Sequence, residues 1–259
     1  MNPPAKIGVY YPDGTGVEPQ APAEVAVVTP TLGGPAIVAA LEGVYAQAPV
    51  RRIQLAIGVD RLRQDPAPML QCLARRPAHV SALVLRLPYS TAQAWGGVHT
   101  PEDGGALRAI LSLAANARRV AFLDDDNTWA PEHLDRLTAA IDGKGWAASR
   151  RMLVDGETGR DLGVDVWHSV GPDQGDRAAT GGFVDPNCLL LDKAKLAAEL
   201  GEWAQTLDGQ RGLTSDERFF RSIRNQPHAL IDDVTVRYRI RRTNILYERL
   251  ARPVSNAPV

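Results

Sequence analysis

An α/β domain built on a mostly parallel central sheet flanked by helices, with a less regular C-terminal half, follows from three features of the 259-residue sequence. Apolar, β-branched runs alternate with helix-spaced segments through the first half, the pattern of strands buried on both faces and joined by crossover helices. Polar or acidic residues (Thr31, Asp60, Asp124–Asp126) follow the ends of those runs, where open α/β sheets bind their ligands. Beyond Trp146 the alternation loosens into strands, hairpin turns and Gly-containing loops.

Residues 1–23 are rich in Pro and Gly and read as an arm or edge extension in which Ile7–Tyr11 can add a short strand. Val25–Thr29 (VAVVT) is a continuous apolar run and reads as a buried strand, followed by a helix over Ala36–Gln47. Ile53–Val59 is a second strand ending at Asp60, Ala67–Arg75 a helix, and Val80–Leu87 a third strand. The loop Tyr89–Gly105, rich in Gly and aromatic residues, leads into a helix over Leu107–Ala117. The next strand, Val120–Leu123, runs straight into Asp124, Asp125 and Asp126, and Pro131 and Glu132 then open a helix. In the second half Trp146–Asp155 reads as a strand with a hairpin turn at Asp155–Gly159. Asn187–Leu191 is a buried strand and Lys193–Trp203 a helix. Thr214 and Ser215 cap a helix over Asp216–Ile223, and Val234–Ile240 is an alternating strand.

Composition excludes several classes. A formal net charge of -1 with no basic run argues against a nucleic-acid partner. No apolar run reaches the length of a membrane span, and the N-terminus lacks a signal pattern, so a cytoplasmic protein with at most peripheral membrane association is expected. Cys72 and Cys188 lie in apolar surroundings without metal-ligand spacing and read as buried free thiols.

Asp124, Asp125 and Asp126 are the candidate centre of the chemistry. Three adjacent carboxylates repel one another, and they persist at a strand end where a divalent cation or a set of donors holds them. A solvated acidic loop capping the next helix is the plain alternative.

The order of these pieces resembles the GT-A nucleotide-sugar glycosyltransferases, in particular the inverting family 2. The likeness rests on a first strand ending in Pro30-Thr31, a strand ending in Asp60, and Arg108 on the helix before the acidic strand. It continues in the block Phe122–Pro131 around Asp124–Asp126 and, more loosely, in the pair Asp216-Glu217 at a helix start. The resemblance implies a nucleotide-binding half over 24–130 and an acceptor-binding half over 131–243, with an arm (1–23) and a tail (244–259). It also implies a metal-dependent transferase that moves a sugar from a UDP-sugar or similar donor to a glycan, lipid-linked or protein acceptor. Asp126, with Asp124, would hold Mn2+ or Mg2+. Thr29, Pro30, Thr31, Asp60, Arg108, Asp124 and Asp125 would line the nucleotide site. Asp216, with Glu217 as the fallback, would be the general base. The chain departs from the family pattern in having Leu32-Gly33-Gly34 after Thr31, Ser215 before Asp216, and no histidine in the region of Arg239-Ile240-Arg241. That histidine's role would pass to Arg241, Arg242 or His228, or be absent. A sugar-phosphate nucleotidyltransferase is the competing enzyme reading, although Pro30–Pro35 is not its Gly-rich loop; a non-catalytic nucleotide-sugar-binding protein is the competing binding reading.

Overall fold

In the computed structural model, which describes residues 7–10, 21–48, 50, 52–61, 64–205, 213–242 and 244–250, the first half is the expected strand–helix series. Its elements are β1 (Ile7–Tyr10), β2 (Ala23–Thr31), α1 (Ile37–Tyr45), β3 (Ile53–Val59), α2 (Ala67–Ala74), β4 (Val80–Arg86), α3 (Gly105–Ala114) and β5 (Ala117–Phe122). The acidic trio follows, then β6 (Thr128–Trp129), α4 (His133–Ala140), β7 (Trp146–Asp155) and β8 (Asp161–Val164). The chain continues through β9 (Gly171–Pro172), β10 (Gly182–Phe183), β11 (Leu189–Asp192), α5 (Ser215–Ile223), β12 (His228–Ile240) and α6 (Ile245–Leu250).

The main sheet has the order β1-β4-β3-β2-β5-β11-β7-β12-β6, with β8 paired to β7. Strands β4, β3, β2 and β5 are mutually parallel, and β12 is parallel to β7. Strand β11 runs antiparallel between β5 and β7. The chain steps outward from β2 through β3 to β4, then returns to β5 on the other side of β2. That reversal is a topological switch point, and it opens a crevice beyond the carboxyl ends of β2 and β5. All seven residues of β3 are buried, which is why that run shows no polar alternation.

Several boundaries moved for tertiary reasons. The helix expected from Pro131 begins at His133, because a remote side chain satisfies its start: Leu134 N donates to Gln47 Oε1 at 2.9 Å, and Gln47 Nε2 donates to the Ala130 carbonyl at 2.8 Å. Lys193–Trp203 is not one α-helix but turns followed by a 3₁₀ helix, Glu199–Ala204. Trp203 stacks on Phe219 at 4.2 Å and packs on Phe122 at 4.9 Å, and this packing overrides local propensity. The strand expected from Asn187 starts at Leu189, since Pro186–Cys188 forms a 3₁₀ turn capped by Asp185.

The expected arm joins the sheet through β1, antiparallel to β4; Tyr11, the rest of the arm outside 7–10 and 21–23, and the tail beyond Leu250 lie outside the described residues. Both cysteines are free and buried. Among the described residues no helix is long and apolar enough to cross a membrane.

Candidate active site

The switch-point crevice is a cleft of about 630 Å³, within the range of small-ligand sites. Its walls bring together Pro30, Thr31, Asp60, Arg108, Asp124, Asp125, Asp126 and Asp216, which are scattered over nearly two hundred residues of sequence. Two of the expected residues stay out of the lining. Thr29 is buried inside β2, and Glu217 is turned away into the cap of α5.

Each aspartate of the trio is treated differently. Asp124 is held from both sides: the Arg108 guanidinium bonds its Oδ1, and Asn187 Nδ2 donates to its Oδ2 at 2.8 Å. Asn187 Oδ1 in turn accepts from the Asp124 backbone N–H at 2.7 Å, so one buried amide fixes both ends of the residue. Thr31 Oγ1 donates to Asp125 Oδ2 at 2.5 Å, tying the end of β2 to the trio. Burial nevertheless leaves the Asp125 carboxyl above its ordinary pKa, with Asp124 adding to the effect. Asp126 has no hydrogen bond or ion pair to another side chain among the described residues. Burial first, then the charges of Asp124 and Asp125, push its pKa up to about 6, and Arg241 only partly opposes them.

That arrangement bears on a metal. Among the described residues no group of three or more His, Cys, Asp or Glu side chains is disposed to hold an ion. A site of one or two carboxylates completed by substrate phosphates needs no such group, and this is how Mg2+ is commonly held. Asp126, crowded by like charges and bonded by no side chain among the described residues, fits that role. Asp124 has one oxygen engaged by Arg108 and the other by Asn187, and fits a fixed acceptor better than a direct ligand.

Asp60 sets one end of the cleft. Its carboxylate accepts from Ser90 Oγ at 2.8 Å and from Thr91 N at 2.6 Å, anchoring the Tyr89–Gly105 loop to the end of β3. Arg108 is buried at 4% exposure and lies 5.2 Å from the Trp203 ring centroid. Burial works against its charge, but Asp124, Asp103 and Asp216 outweigh burial and hold its pKa above the ordinary value.

Opposite the trio, α5 presents Asp216. Thr214 caps the helix in a capping box with Glu217, whose carboxylate also pairs with Arg177 at 2.6 Å. Asp216 Oδ1 accepts from Thr214 Oγ1 and from Glu217 N, while Oδ2 takes no hydrogen bond among the described residues. Burial, with Asp103 and Asp185 adding to it against Thr214 and Arg108, pushes the Asp216 pKa up to about 6. A carboxyl poised there can take a proton near neutral pH.

Asp103, Asp185 and Asn187 also stand at the cleft, and no motif in the sequence marks them. Asp185 lines the cleft and bonds Asn187 Nδ2 at 2.7 Å. It is also one arm of a buried ion triad, with Arg151 2.6 Å from Asp185 and 2.8 Å from Asp165. The only local signal was Asp-Pro-Asn ahead of an apolar strand, a turn pattern that says nothing about what it faces. The histidine-free strand end does bring Arg241 to the cleft, and neither Arg242 nor His228 lines it.

No protein-family model matches the chain, and no curated protein matches it by sequence. Solved structures do match. The S. aureus TarS fragment 1-349 in complex with UDP-GlcNAc is 16% identical, with a TM-score of 0.62 over 91% of this chain and 62% of that one. A longer TarS structure from S. aureus is 14% identical, with a TM-score of 0.62 over 84% of this chain and 37% of its own. The mannosyltransferase PcManGT from Pyrobaculum calidifontis, in complex with GDP-Man and Mn2+, is 14% identical, with a TM-score of 0.56 over 85% of this chain and 58% of that one. This chain therefore spans less than two thirds of each of these structures. At such identities the likeness speaks to architecture, and the architecture is the GT-A fold.

Proposed function

We propose that the protein transfers a sugar from a nucleoside-diphosphate sugar to a hydroxyl acceptor, with a divalent cation and inversion at the anomeric carbon. One observation carries this reading: the carboxylate of Asp126, which no side chain bonds among the described residues, and the open Oδ2 of Asp216 face a single cleft at the sheet's switch point. Likeness to the UDP- and UDP-GlcNAc-bound TarS structures makes a UDP-sugar the favoured donor. Mn2+ is the first cation to test, given its presence beside GDP-Man in PcManGT.

In this reading Asp60 accepts from the base, and Thr31 and Pro30 line the nucleoside side. Asp124, immobilised by Arg108 and Asn187, accepts from the ribose or from a metal-bound water. Asp126 holds the cation, which when bound would neutralise the charge developing on the departing diphosphate. Arg241 sits at the cleft edge beside Asp126, placed to meet phosphate oxygens. Asp216 removes the proton from the acceptor hydroxyl as its oxygen bonds to the anomeric carbon and the bond from that carbon to the diphosphate oxygen breaks. The acceptor is a glycan, a lipid-linked sugar or a protein.

A thermal-shift panel of nucleoside diphosphates with and without Mn2+ tests the reading. At a hundredfold excess over Kd, binding adds about 2.7 kcal/mol of apparent stability, on the order of 5–10 °C for a chain of this size. Asp126→Ala should lose the Mn2+-dependent part of that shift and keep the unliganded melting temperature. No shift with any diphosphate, or an unchanged metal-dependent shift in the variant, refutes the assignment.

A further inference from the structure

Asp103 lies in the loop before α3, outside every motif in the sequence, yet it is the point where the two sides of the cleft are joined. Its Oδ1 accepts from Gly105 N at 3.0 Å, at the start of α3. Its Oδ2 accepts from Ser215 N at 2.7 Å, at the start of α5 and 112 positions away. One carboxylate therefore satisfies a free N–H at the amino end of each helix, where negative charge is also favoured. The two helix starts meet so closely that a Cβ on Gly105 would lie 2.2 Å from Ser215 Oγ and 2.3 Å from the Trp203 carbonyl oxygen. On its other side the loop presses on β2, since a Cβ on Gly104 would lie 2.7 Å from Pro30 Cβ. The Asp103 backbone carbonyl also accepts from Arg108, the residue that grips Asp124.

We propose that Asp103 is a positioning residue for Asp216: its single carboxylate fixes the starts of α3 and α5 against each other, and so sets where the Asp216 carboxylate stands relative to the bound donor. This rests on the reading of Asp216 as the base. Asp103 touches no reacting atom; it acts through the α5 backbone and through its charge. Among the described residues, the charged and titratable groups facing Asp216 are Asp103 from the loop before α3, Arg108 from α3, Asp185 from the turn before β11 and Tyr238 from β12. Glu217, its neighbour on α5, is engaged by the cap and Arg177. Asp103 and Asp185 disfavour the Asp216 anion and Arg108 favours it, so neutralising Asp103 moves the Asp216 titration to lower pH.

Two variants separate these effects in the full chain. Asp103→Asn is isosteric and removes the charge. Ser215→Pro removes the N–H that Asp103 Oδ2 receives, together with the Ser215 hydroxyl, and leaves the Asp103 charge in place; it does so at the first helical position, where proline is well tolerated. Turnover is read as nucleoside diphosphate released from a panel of UDP- and GDP-sugars with Mn2+, and donor affinity as the Kd of the matching nucleoside diphosphate with Mn2+. The Asp216 titration is followed by carboxyl 13C NMR, its resonance being the one missing in Asp216→Asn. Both variants should lower kcat by about 10- to 100-fold, the usual effect of a misplaced group. Donor Kd should stay within about twofold in both, and only Asp103→Asn should shift the Asp216 titration downward. Wild-type kcat in both variants, or an unshifted Asp216 titration in Asp103→Asn, overturns the proposal, whatever the melting temperatures. If Asp216→Asn itself keeps wild-type turnover, it is the base assignment that has failed; if Asp216→Asn is dead and Asp103→Asn is unimpaired, only the role of Asp103 is wrong.

Discussion

Replacing Asp216 by Asn and, separately, Glu217 by Gln should split catalysis from stability at two adjacent acids. Asp216 keeps one oxygen free toward the cleft, whereas Glu217 is committed to the α5 cap and to Arg177. A positioned general base contributes on the order of 10² to 10⁴ in rate, about 3–5 kcal/mol of barrier at 1.36 kcal/mol per decade. Asp216→Asn should lose that amount of turnover while the Kd for a nucleoside diphosphate with Mn2+ stays within about twofold, because Asp124 and Asp126 are untouched. Glutamine also serves at the third position of a capping box, so Glu217→Gln forfeits only the ion pair with Arg177. That arginine is 40% exposed, and pairs of this kind are worth about 0–1 kcal/mol. Glu217→Gln should therefore be nearly wild type in rate and melt within a few degrees of it. The pH profile adds a sign. A base whose pKa is pushed up to about 6 is active when deprotonated, so wild-type kcat should fall as pH drops below that value. The assay is nucleoside diphosphate release from the best donor across pH 5–8, with melting curves for all three proteins. An active Asp216→Asn beside an inactive Glu217→Gln would refute the register; full activity in both would refute an inverting mechanism through this helix.

Other substitutions probe the frame. Arg151→Met leaves Asp165 (0% exposed) and Asp185 (4% exposed) buried without their cation and should cost about 3–5 kcal/mol by denaturant unfolding at pH 7. Burial opposes the Asp165 charge, but Arg151 and the N–H groups of His168 and Ser169 hold its pKa below the ordinary value. Its contribution is thus present above the unfolded carboxyl pKa and lost as pH falls through the folded one, so the wild-type advantage over Arg151→Met should shrink in acid; a pH-independent difference would contradict this. Gly105→Ala forces a methyl group against the Trp203 carbonyl and Ser215 and should cost about 1–3 kcal/mol by overpacking; an unchanged melting temperature would mean that α3 and α5 are not so close. Asn187→Ala removes a donor from Asp124 Oδ2 and the acceptor for its N–H and should weaken nucleoside diphosphate binding by calorimetry roughly as much as Asp124→Asn does; wild-type affinity would dissociate Asn187 from the site.

Much of this arrangement was legible in the linear chain because it is local. Short, almost wholly apolar runs such as Ile53–Val59, broken only by Gln54, are the mark of strands covered on both faces, and strand–helix alternation favours parallel neighbours joined by crossovers. Given that topology, the residues after each run, Thr31, Asp60 and Asp124–Asp126, fall on one rim whatever their separation. The cap at Thr214 was equally local, since a Thr-x-x-Glu pattern is completed within one helical turn. Choosing Asp216 over Glu217 was not local, because the cap only shows that Glu217 is occupied and does not show what Asp216 faces. Nor does any short pattern say that β11 enters antiparallel between β5 and β7. That insertion sets Asn187 and Asp185 beside Asp124, while the convergence of α3 and α5 lets one carboxylate at Asp103 hold both helix starts. Asp126 differs from its two neighbours for the same reason. Three identical side chains in a row sit in different surroundings because Arg108, Asn187 and Thr31 reach the first two from distant segments and leave the third without a side-chain donor among the described residues, a distribution that exists only once the chain has folded.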